Sequence, residues 1–375
     1  MEEITVILLN LFIIFITAKL VGSLFARFNR PSIVGEVLVG ILIGPYVLGW
    51  IGRPDSSLVH LFGGDATAAG TAMTLVLDVM AQLGVILLLF FVGLETRVSD
   101  LMKVKGRAVL VGILGLIVPF ALGFGFMWLT GKDSIESAFV ATAIVSTSIG
   151  ITARVLGDLG VVNSKEARII LGAAVVDDVL GLLLLAVVSS MSSGFVDPLE
   201  LILTGAEVLA FVVFIILIGT RVVKRFSIHL EKIPIDNAPL VVTLTLMLGL
   251  SVLAGVIGLA AIIGAFLAGL MLSEARDHEV ITQQARPIYD FFVPFFFVVT
   301  GTKVDLSAFL DPGLLGFALA ITLLAVLGKL IGSAVASIGL SPRSAAIIGM
   351  GMVPRGEVGL VVASIGIGIG AISRD

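Results

Sequence analysis

Apolar segments long enough to cross a lipid bilayer recur along the whole of this 375-residue chain, with short polar loops between them. A transmembrane helix needs about 20 predominantly apolar residues. Only 13% of the residues are charged, whereas soluble domains carry about a quarter. The pattern therefore predicts an all-α integral membrane protein with 12 visible spans, near residues 4–24, 32–50, 73–94, 107–130, 136–157, 166–190, 199–221, 238–254, 257–272, 287–301, 313–338 and 342–370.

The basic residues test this division, because cytoplasmic loops of membrane proteins are enriched in Lys and Arg. If the N-terminus lies outside, the outward loops hold only Arg53, Lys132, Lys303 and Arg374. The inward loops hold Arg27, Arg30, Arg97, Lys103, Lys105, Arg107, Arg154, Lys165, Arg168, Arg221, Lys224, Arg225, Lys232, Arg276, Arg286 and Arg343. We therefore expect a multi-pass protein of the cell membrane with its N-terminus outside. The start Met1-Glu2-Glu3 lacks a basic signal-peptide region, so the first apolar segment is expected to remain as a span.

Two pairs of similar segments indicate an internal repeat. The segment Val34-Gly35-Glu36-Val37-Leu38-Val39-Gly40 resembles Ile263-Gly264-Ala265-Phe266-Leu267-Ala268-Gly269 seven spans later, and Phe90-Phe91-Val92-Gly93 resembles the segment from Phe296 to Gly301. Because seven is odd, the two copies must have opposite orientations in the membrane. Inverted repeats are typical of secondary transporters, whose binding sites form at the midplane between the repeats.

Two predicted spans are poor continuous helices. The fifth contains Ser146-Thr147-Ser148 near its middle, and the twelfth contains several glycines with Pro354, Arg355 and Glu357. Interior Pro removes a backbone hydrogen bond, and unwound backbone at membrane depth is tolerated only inside protein or along a cavity. The two spans occupy matching places in the repeats, and matching interruptions are the best sequence indication of a transport site. Ser and Thr also occur in ordinary membrane helices, so the fifth span alone leaves both interpretations open.

Three charged residues lie deep within apolar segments. Asp177 and Asp178 stand in the apolar run from Ile169 to Val188, and Lys329 lies well inside the eleventh span. Adjacent residues point about 100° apart on a helix, so the two aspartates are expected to have different roles. Lys329 is the expected partner of one of them, because a buried ammonium otherwise loses its proton or finds a carboxylate. Snorkelling of Lys329 to the interface is the alternative.

The other charged residues are less informative. Arg355 and Glu357 could pair with each other or across the core, as a structural ion pair. Glu36, Glu95 and Asp78 are expected to be structural or solvated, and Glu207 and Lys19 have no assigned role. The chain has no cysteine and only 3 histidines, none in an apolar segment. Because no catalytic dyad, thiol or phosphate loop is present, we expect neither an enzyme, nor a cofactor, nor a nucleic-acid partner.

These residues carry a resemblance to a known family. The segments Val176-Asp177-Asp178-Val179, Ser146 to Arg154 and Pro354 to Gly359, together with Lys329, resemble the monovalent cation:proton antiporters of the NapA-like Na⁺/H⁺ exchanger branch. The resemblance covers nearly the whole chain, and its glycine-rich parts are shared with K⁺ efflux antiporters. It implies an inverted-repeat antiporter fold with two discontinuous helices that cross at the midplane, in which family members have a thirteenth helix.

The resemblance also implies roles and assembly. Asp178 would bind the cation or the proton and Asp177 would form a salt bridge with Lys329, in an electrogenic exchange that serves pH homeostasis. The protein would be a homodimer, with a moving core bundle at about 73–190 and 287–375 and a dimerisation bundle at about 1–50 and 199–272.

The mechanism expected from the residues is competition at one buried carboxylate. Desolvation disfavours the charge of Asp178, so it holds either a proton or a monovalent cation such as Na⁺ or Li⁺, with Ser146 and Thr147 as helping oxygen ligands. If the protein changes between its inward-open and outward-open states only when a proton or a cation occupies the site, exchange is obligatory. A K⁺/H⁺ antiporter of the same fold and a sodium-coupled organic-anion symporter remain the alternatives.

Overall fold

The structure is a computed structural model whose regular secondary structure, in the part described, is entirely helical. It describes residues 3–192, 237–355 and scattered positions in 203–221 and 359–371, apart from 29, 53–55, 96–97, 258–259, 274 and 276–277.

The helices follow one another in chain order with short connections. They are α1 (Glu3–Arg27), α2 (Ser32–Ile43), α3 (Ser56–Leu61), α4 (Ala66–Glu95), α5 (Val98–Leu129), α6 (Ser134–Val145), α7 (Ile149–Asp158), α8 (Lys165–Ser192), α9 (Ala238–Val256), α10 (Ala261–Leu272), α11 (His278–Thr302), α12 (Pro312–Ala336) and α13 (Pro342–Gly351). A 3₁₀ turn at Leu306–Leu310 precedes α12.

Seven helical segments within the described residues are long and apolar enough to cross a membrane: Ile4–Arg27, Ala66–Glu95, Gly106–Leu129, Ser134–Asp158, Lys165–Ser189, Ala238–Val256 and Pro312–Ala336. The predicted division of residues 238–272 into two helices is confirmed, since α9 ends at Val256 and α10 begins at Ala261. Most of the predicted span at 199–221 lies outside the described residues, so the count of 12 spans stays a prediction.

The second predicted span is shorter than expected. Helix α2 ends at Ile43 rather than near residue 50. Pro45 explains this end, because the residue before a proline is disfavoured in helical geometry. That residue, Gly44, is accordingly extended, with φ −65° and ψ 173°.

Contacts between residues divide the chain into two compact units. Unit 1 comprises 1–88 and 282–315, and its core is an apolar cluster from α1, α2, α3, α4 and α11. Unit 2 comprises 89–281 and 316–375 and contains α5 to α10, α12 and α13. The predicted core and dimerisation bundles are defined by motion and assembly rather than by contacts, so they stay predictions.

Helix α2 crosses α11 at a pair of glycines within unit 1. A Cβ atom on Gly40 would overlap the carbonyl oxygen of Val298, and one on Gly301 would overlap the carbonyl oxygen of Val37. Small residues of this kind let two membrane helices approach to backbone contact.

Helix α4 crosses α10 in the same way within unit 2. A Cβ atom on Gly93 would overlap the carbonyl oxygen of Phe266, and one on Gly269 would overlap that of Phe90. The predicted repeat matches α2 with α10 and α4 with α11, so each crossing joins the first copy to the second. Exchanging the two copies converts the α2–α11 crossing into the α10–α4 crossing, which supports the internal repeat.

We expect Gly269→Ala to destabilise the protein by about 1–3 kcal/mol, the range for overpacking. The added methyl would strike backbone atoms of α4, which cannot rotate away as a side chain can. The matched control is Gly249→Ala in α9, where a Cβ would meet nothing within 4 Å. That substitution should be neutral or stabilising, because Ala is the better helix former. Thermal unfolding in one detergent compares them, and equal melting temperatures would contradict the crossing.

Candidate functional site

The first predicted interruption is present between α6 and α7. Helix α6 ends at Val145, and Ser146 and Ser148 both have extended backbone, with ψ 136° and 101°. The Ser148 hydroxyl accepts a hydrogen bond from the Ile151 N–H at 3.3 Å and so caps α7. Serine is a preferred N-cap residue, and this preference explains why a new helix begins here inside an apolar segment.

The second interruption follows α13. That helix ends at Gly351, and the backbone from Met352 to Arg355 is not helical. The Arg355 guanidinium donates hydrogen bonds to the carbonyls of Met352 at 3.2 Å, Val353 at 2.9 Å and Ala325 at 2.9 Å. A cation at this position satisfies carbonyls that the helix end leaves without partners and complements the helix dipole. Glu357 lies outside the described residues, so its ion pair with Arg355 stays a prediction.

The two interruptions contact each other within unit 2. The Ser148 N–H donates to the Pro354 carbonyl at 2.9 Å. The Thr147 hydroxyl donates to the Met352 carbonyl at 3.3 Å, and the Thr152 hydroxyl donates to the Gly351 carbonyl at 2.9 Å. Each interruption therefore supplies hydrogen-bond partners to the other, which is the condition for unwound backbone away from water.

Asp177 and Lys329 form the expected ion pair beside these interruptions. Lys329 Nζ lies 2.7 Å from Asp177 Oδ1, and both side chains are 0% exposed. The second carboxylate oxygen, Oδ2, accepts a hydrogen bond from the Thr147 N–H at 3.0 Å. Asp177 thus connects α8 with α12 and with the first interruption. Snorkelling of Lys329 to the interface is excluded, because its side chain is fully enclosed.

Two glycines allow α12 to place Lys329 this deeply. A Cβ atom on Gly328 would collide with Pro119 of α5, and one on Gly332 would overlap the carbonyl oxygen of Leu114. Helix α5 also has a glycine, Gly115, opposite the lysine, and a Cβ atom there would lie 3.7 Å from Lys329 Nζ. The close approach of α12 to α5 at these glycines brings Lys329 within reach of Asp177 on α8.

Asp178 differs from Asp177 in its surroundings. It is 6% exposed, whereas Asp177 is fully enclosed. Because adjacent positions on α8 point about 100° apart, Asp178 cannot share the direction of the Lys329 contact. Ser146 and Thr147 are also buried, and the Ser146 hydroxyl lies 3.5 Å from the Ala143 carbonyl. The chain therefore holds one carboxylate in a fully enclosed ion pair and leaves the next one slightly exposed.

The other charged residues singled out from the sequence differ in their surroundings. Asp78 forms an ion pair with Lys303 at 2.8 Å, and both side chains are about half exposed. Lys19 lies over the ring of Phe15, 5.5 Å from its centroid, in an exposed cation–π contact. Glu36 is buried in α2, which excludes the solvated alternative, while Glu95 is exposed. Glu207 lies outside the described residues.

Three contributions to the site did not follow from the sequence. The Thr147 N–H, the Thr152 hydroxyl and the Arg355 guanidinium all bond to atoms that lie far away along the chain. The available signal was the cluster of hydroxyl residues from Ser146 to Thr152, which suggested an interruption without indicating its partners.

The whole chain is similar to known ion antiporters. It is 37% identical to the high-affinity Na⁺/H⁺ antiporter NhaS3 of Synechocystis sp., with 98% of this chain and 84% of that protein covered. It is 37% identical to a Na⁺/H⁺ antiporter of Enterococcus hirae, with coverages of 94% and 87%. It is 33% identical to the Na⁺/H⁺-K⁺ antiporter GerN of Bacillus cereus, with coverages of 97% and 88%.

A solved structure shows the same fold. The sodium proton antiporter MjNhaP1 of Methanocaldococcus jannaschii aligns with a TM-score of 0.66 and 19% identity, over 99% of this chain and 88% of that one. The family model described as "Sodium/hydrogen exchanger, transmembrane" matches residues 12–375. With its interrupted helices in contact and a buried Asp–Lys pair beside them, the chain belongs to the transmembrane sodium/hydrogen exchanger family.

Proposed function

We propose that this protein is a secondary antiporter that exchanges a monovalent cation, Na⁺ first of all, for protons across the cell membrane. The observation that carries the proposal is the enclosed Asp177–Lys329 pair, at the contact of two interrupted helices and directly beside Asp178. The names of the relatives in Synechocystis and Enterococcus, both Na⁺/H⁺ antiporters, support the same exchange.

Asp178 is the residue that we propose to bind the cation and the proton in turn. The charge of a carboxylate that is only 6% exposed is unfavourable in free energy unless a proton or a cation neutralises it. A hard cation such as Na⁺ or Li⁺ prefers oxygen ligands. The Ser146 and Thr147 hydroxyl oxygens are the proposed additional ligands, since Thr147 is already held against the site by Asp177.

Lys329 is the proposed second proton carrier. When a cation binds at Asp178, its positive charge disfavours the nearby ammonium, so Lys329 releases a proton and loses its bond to Asp177. The cycle would then move more protons than cations and be electrogenic. Each net charge moved across the membrane is driven by about 2.3 kcal/mol per 100 mV.

Alternating access, assembly and orientation complete the proposal. The core bundle at about 73–190 and 287–375 moves against the dimerisation bundle at about 1–50 and 199–272, in a homodimer with outward N-termini. The interrupted helices suit such motion, because their ends are joined by a few hydrogen bonds rather than by a continuous helix.

The direct test uses purified protein in liposomes that contain a pH-sensitive dye. An imposed Na⁺ gradient should drive proton movement in the opposite direction, with saturation at high Na⁺. Li⁺ should substitute for Na⁺. Proton movement with K⁺ alone would favour the K⁺/H⁺ alternative. The GerN relative is named a Na⁺/H⁺-K⁺ antiporter, which is the reason to include K⁺ in the test. Absence of proton movement with all three ions would refute the proposal.

The electrogenic part has its own prediction. The variant with Asp177→Asn and Lys329→Gln keeps two polar side chains that can hydrogen-bond but removes the proton of Lys329. We expect exchange to continue at a reduced rate while its dependence on membrane potential disappears. The measurement is the reversal potential of proton flux under valinomycin clamps. A reversal potential equal to that of the wild type would contradict the proposed role of Lys329.

A further inference from the structure

A line of buried polar side chains runs along α12 from Lys329 towards one end of the helix. Ser333 follows Lys329 by four residues on the same face of α12, and Ser337 follows Ser333 by four more, one residue beyond the end of the helix at Ala336. Lys329 and Ser333 are 0% exposed, and Ser337 is 1% exposed. Neither serine hydroxyl has a hydrogen-bond partner among the described residues. We call Lys329, Ser333 and Ser337 the α12 polar line.

The line ends on the side of the membrane that the basic residues predict to be the inner face. At that end the Arg107 guanidinium donates hydrogen bonds to the carbonyls of Ala336 and Ile338. Arg107 is half-buried, so this end of α12 is in reach of water. The α12 polar line thus extends from the ion pair towards the end of α12 that Arg107 contacts.

The surroundings of the line make its unbonded hydroxyls unusual. Beside it, Ala336 packs in an apolar cluster with Val111, Ile170 and Met352. A buried hydroxyl without a partner costs about 1–3 kcal/mol. Membrane helices usually avoid this cost by bonding serine to the carbonyl four residues earlier, as Ser251 does with Met247 at 2.7 Å. Such orphaned buried groups indicate ordered water.

The spacing along the line is on the scale of water molecules. Four residues of α-helix rise about 6 Å from Lys329 to Ser333, and a hydrogen bond between two oxygens spans about 2.8 Å. Water molecules between the side chains are therefore enough to connect them.

We infer that Ser333, Ser337 and the waters between them form a proton path that joins Lys329 to the inner solution, apart from the cation route at Asp178. The inference rests on the proposed antiport. The Lys329 ammonium gives one proton to the first water. Each serine hydroxyl then accepts a proton on its oxygen and releases the one it carried. The proton leaves as hydronium inside, Lys329 is left neutral, and both hydroxyls are unchanged.

The enclosed ion pair requires some route by which a proton released from Lys329 can reach water. Lys329 is completely enclosed and bonded to Asp177, so a proton that it releases must pass through protein. A route past Asp178 would be blocked at the moment it is needed, because the arriving cation occupies that carboxylate. The α12 polar line gives the lysine its own connection to water.

Radiolytic footprinting tests for water without requiring transport. Hydroxyl radicals form from bound water inside the protein and oxidise neighbouring side chains, and cysteine is the most reactive. The chain has no cysteine of its own, so Ser333→Cys provides a single reporter. Ala336→Cys is the matched control. Ala336 is only 1% exposed and packs in the apolar cluster, although it lies nearer than Ser333 to the end of α12. We expect oxidation at position 333 at least several-fold faster than at 336.

Equal, slow oxidation at both positions would overturn the water path, whether or not the protein transports ions. Flux measurements then test its use. Ser333→Val should slow Na⁺-driven proton flux about tenfold, whereas Ser333→Thr, which keeps a hydroxyl, should restore it. The solvent deuterium isotope effect should rise in the valine variant. Wild-type flux in Ser333→Val would show that protons do not use this line, even if antiport itself is demonstrated.

Discussion

Asp178→Asn is expected to abolish exchange, reducing Na⁺-driven proton flux to the level of protein-free liposomes. Asparagine has nearly the same shape, but it can neither carry the transported proton nor supply the negative charge that attracts a cation. The substitution should therefore abolish proton transport and cation transport together. The measurement is dye-reported proton flux in proteoliposomes, with ²²Na⁺ uptake as a second readout.

The matched control for that experiment is Asp290→Asn. Asp290 is about half exposed on α11 and pairs with Arg286 one turn earlier. It should transport at the wild-type rate, since exposed pairs of this kind contribute little. Both variants should elute as one species and unfold within a few degrees of the wild type. Wild-type flux in Asp178→Asn would refute the assignment of the transported ions to this carboxylate.

Lys329→Met is expected to cost about 3–5 kcal/mol of unfolding free energy, the range found when one partner of a buried ion pair is removed. Asp177 would keep its hydrogen bond from the Thr147 N–H but would lose the ammonium that is bonded to its enclosed carboxylate. The double variant with Asp177→Asn should recover most of the loss, because both groups are then neutral. Denaturant unfolding in one detergent gives the complete double-mutant cycle.

The same cycle at an exposed pair provides the comparison. Lys303 and Asp78 lie 2.8 Å apart, nearly as close as Lys329 and Asp177, but their side chains are 49% and 42% exposed. Lys303→Met should cost less than about 1 kcal/mol, because water already solvates both charges. If Lys329→Met costs no more than Lys303→Met, the enclosed geometry of the Asp177–Lys329 pair is wrong.

The sequence was most informative where a residue type is unfavourable in its predicted surroundings. Asp177 and Lys329 are charged residues in apolar helices, so each required a partner, and few candidates existed. The hydroxyl cluster at Ser146 and the Pro354 segment likewise contradict a continuous helix. Such violations are local, so they can be recognised without knowing the fold.

Other features depend on distances that only the folded chain fixes. Arg355 donates its described hydrogen bonds to three backbone carbonyls, while its expected ion pair with Glu357 stays a prediction. Backbone groups are present in every residue, so no residue pattern shows which of them will lie within reach. The serines of the α12 polar line were overlooked for a related reason. Ser333 is unremarkable in sequence, and only its enclosure without a partner makes it informative.

The paired glycine crossings have a consequence for how the protein is made. Helix α2 emerges from the ribosome long before its partner, because roughly 260 residues separate Gly40 from Val298. At about 5–20 residues per second, the wait is on the order of 10–50 s. During that time the bare glycine face of α2 must be covered by lipid, by the insertion machinery or by a second nascent chain. A chain that ended before α11 would have no partner for that face of α2.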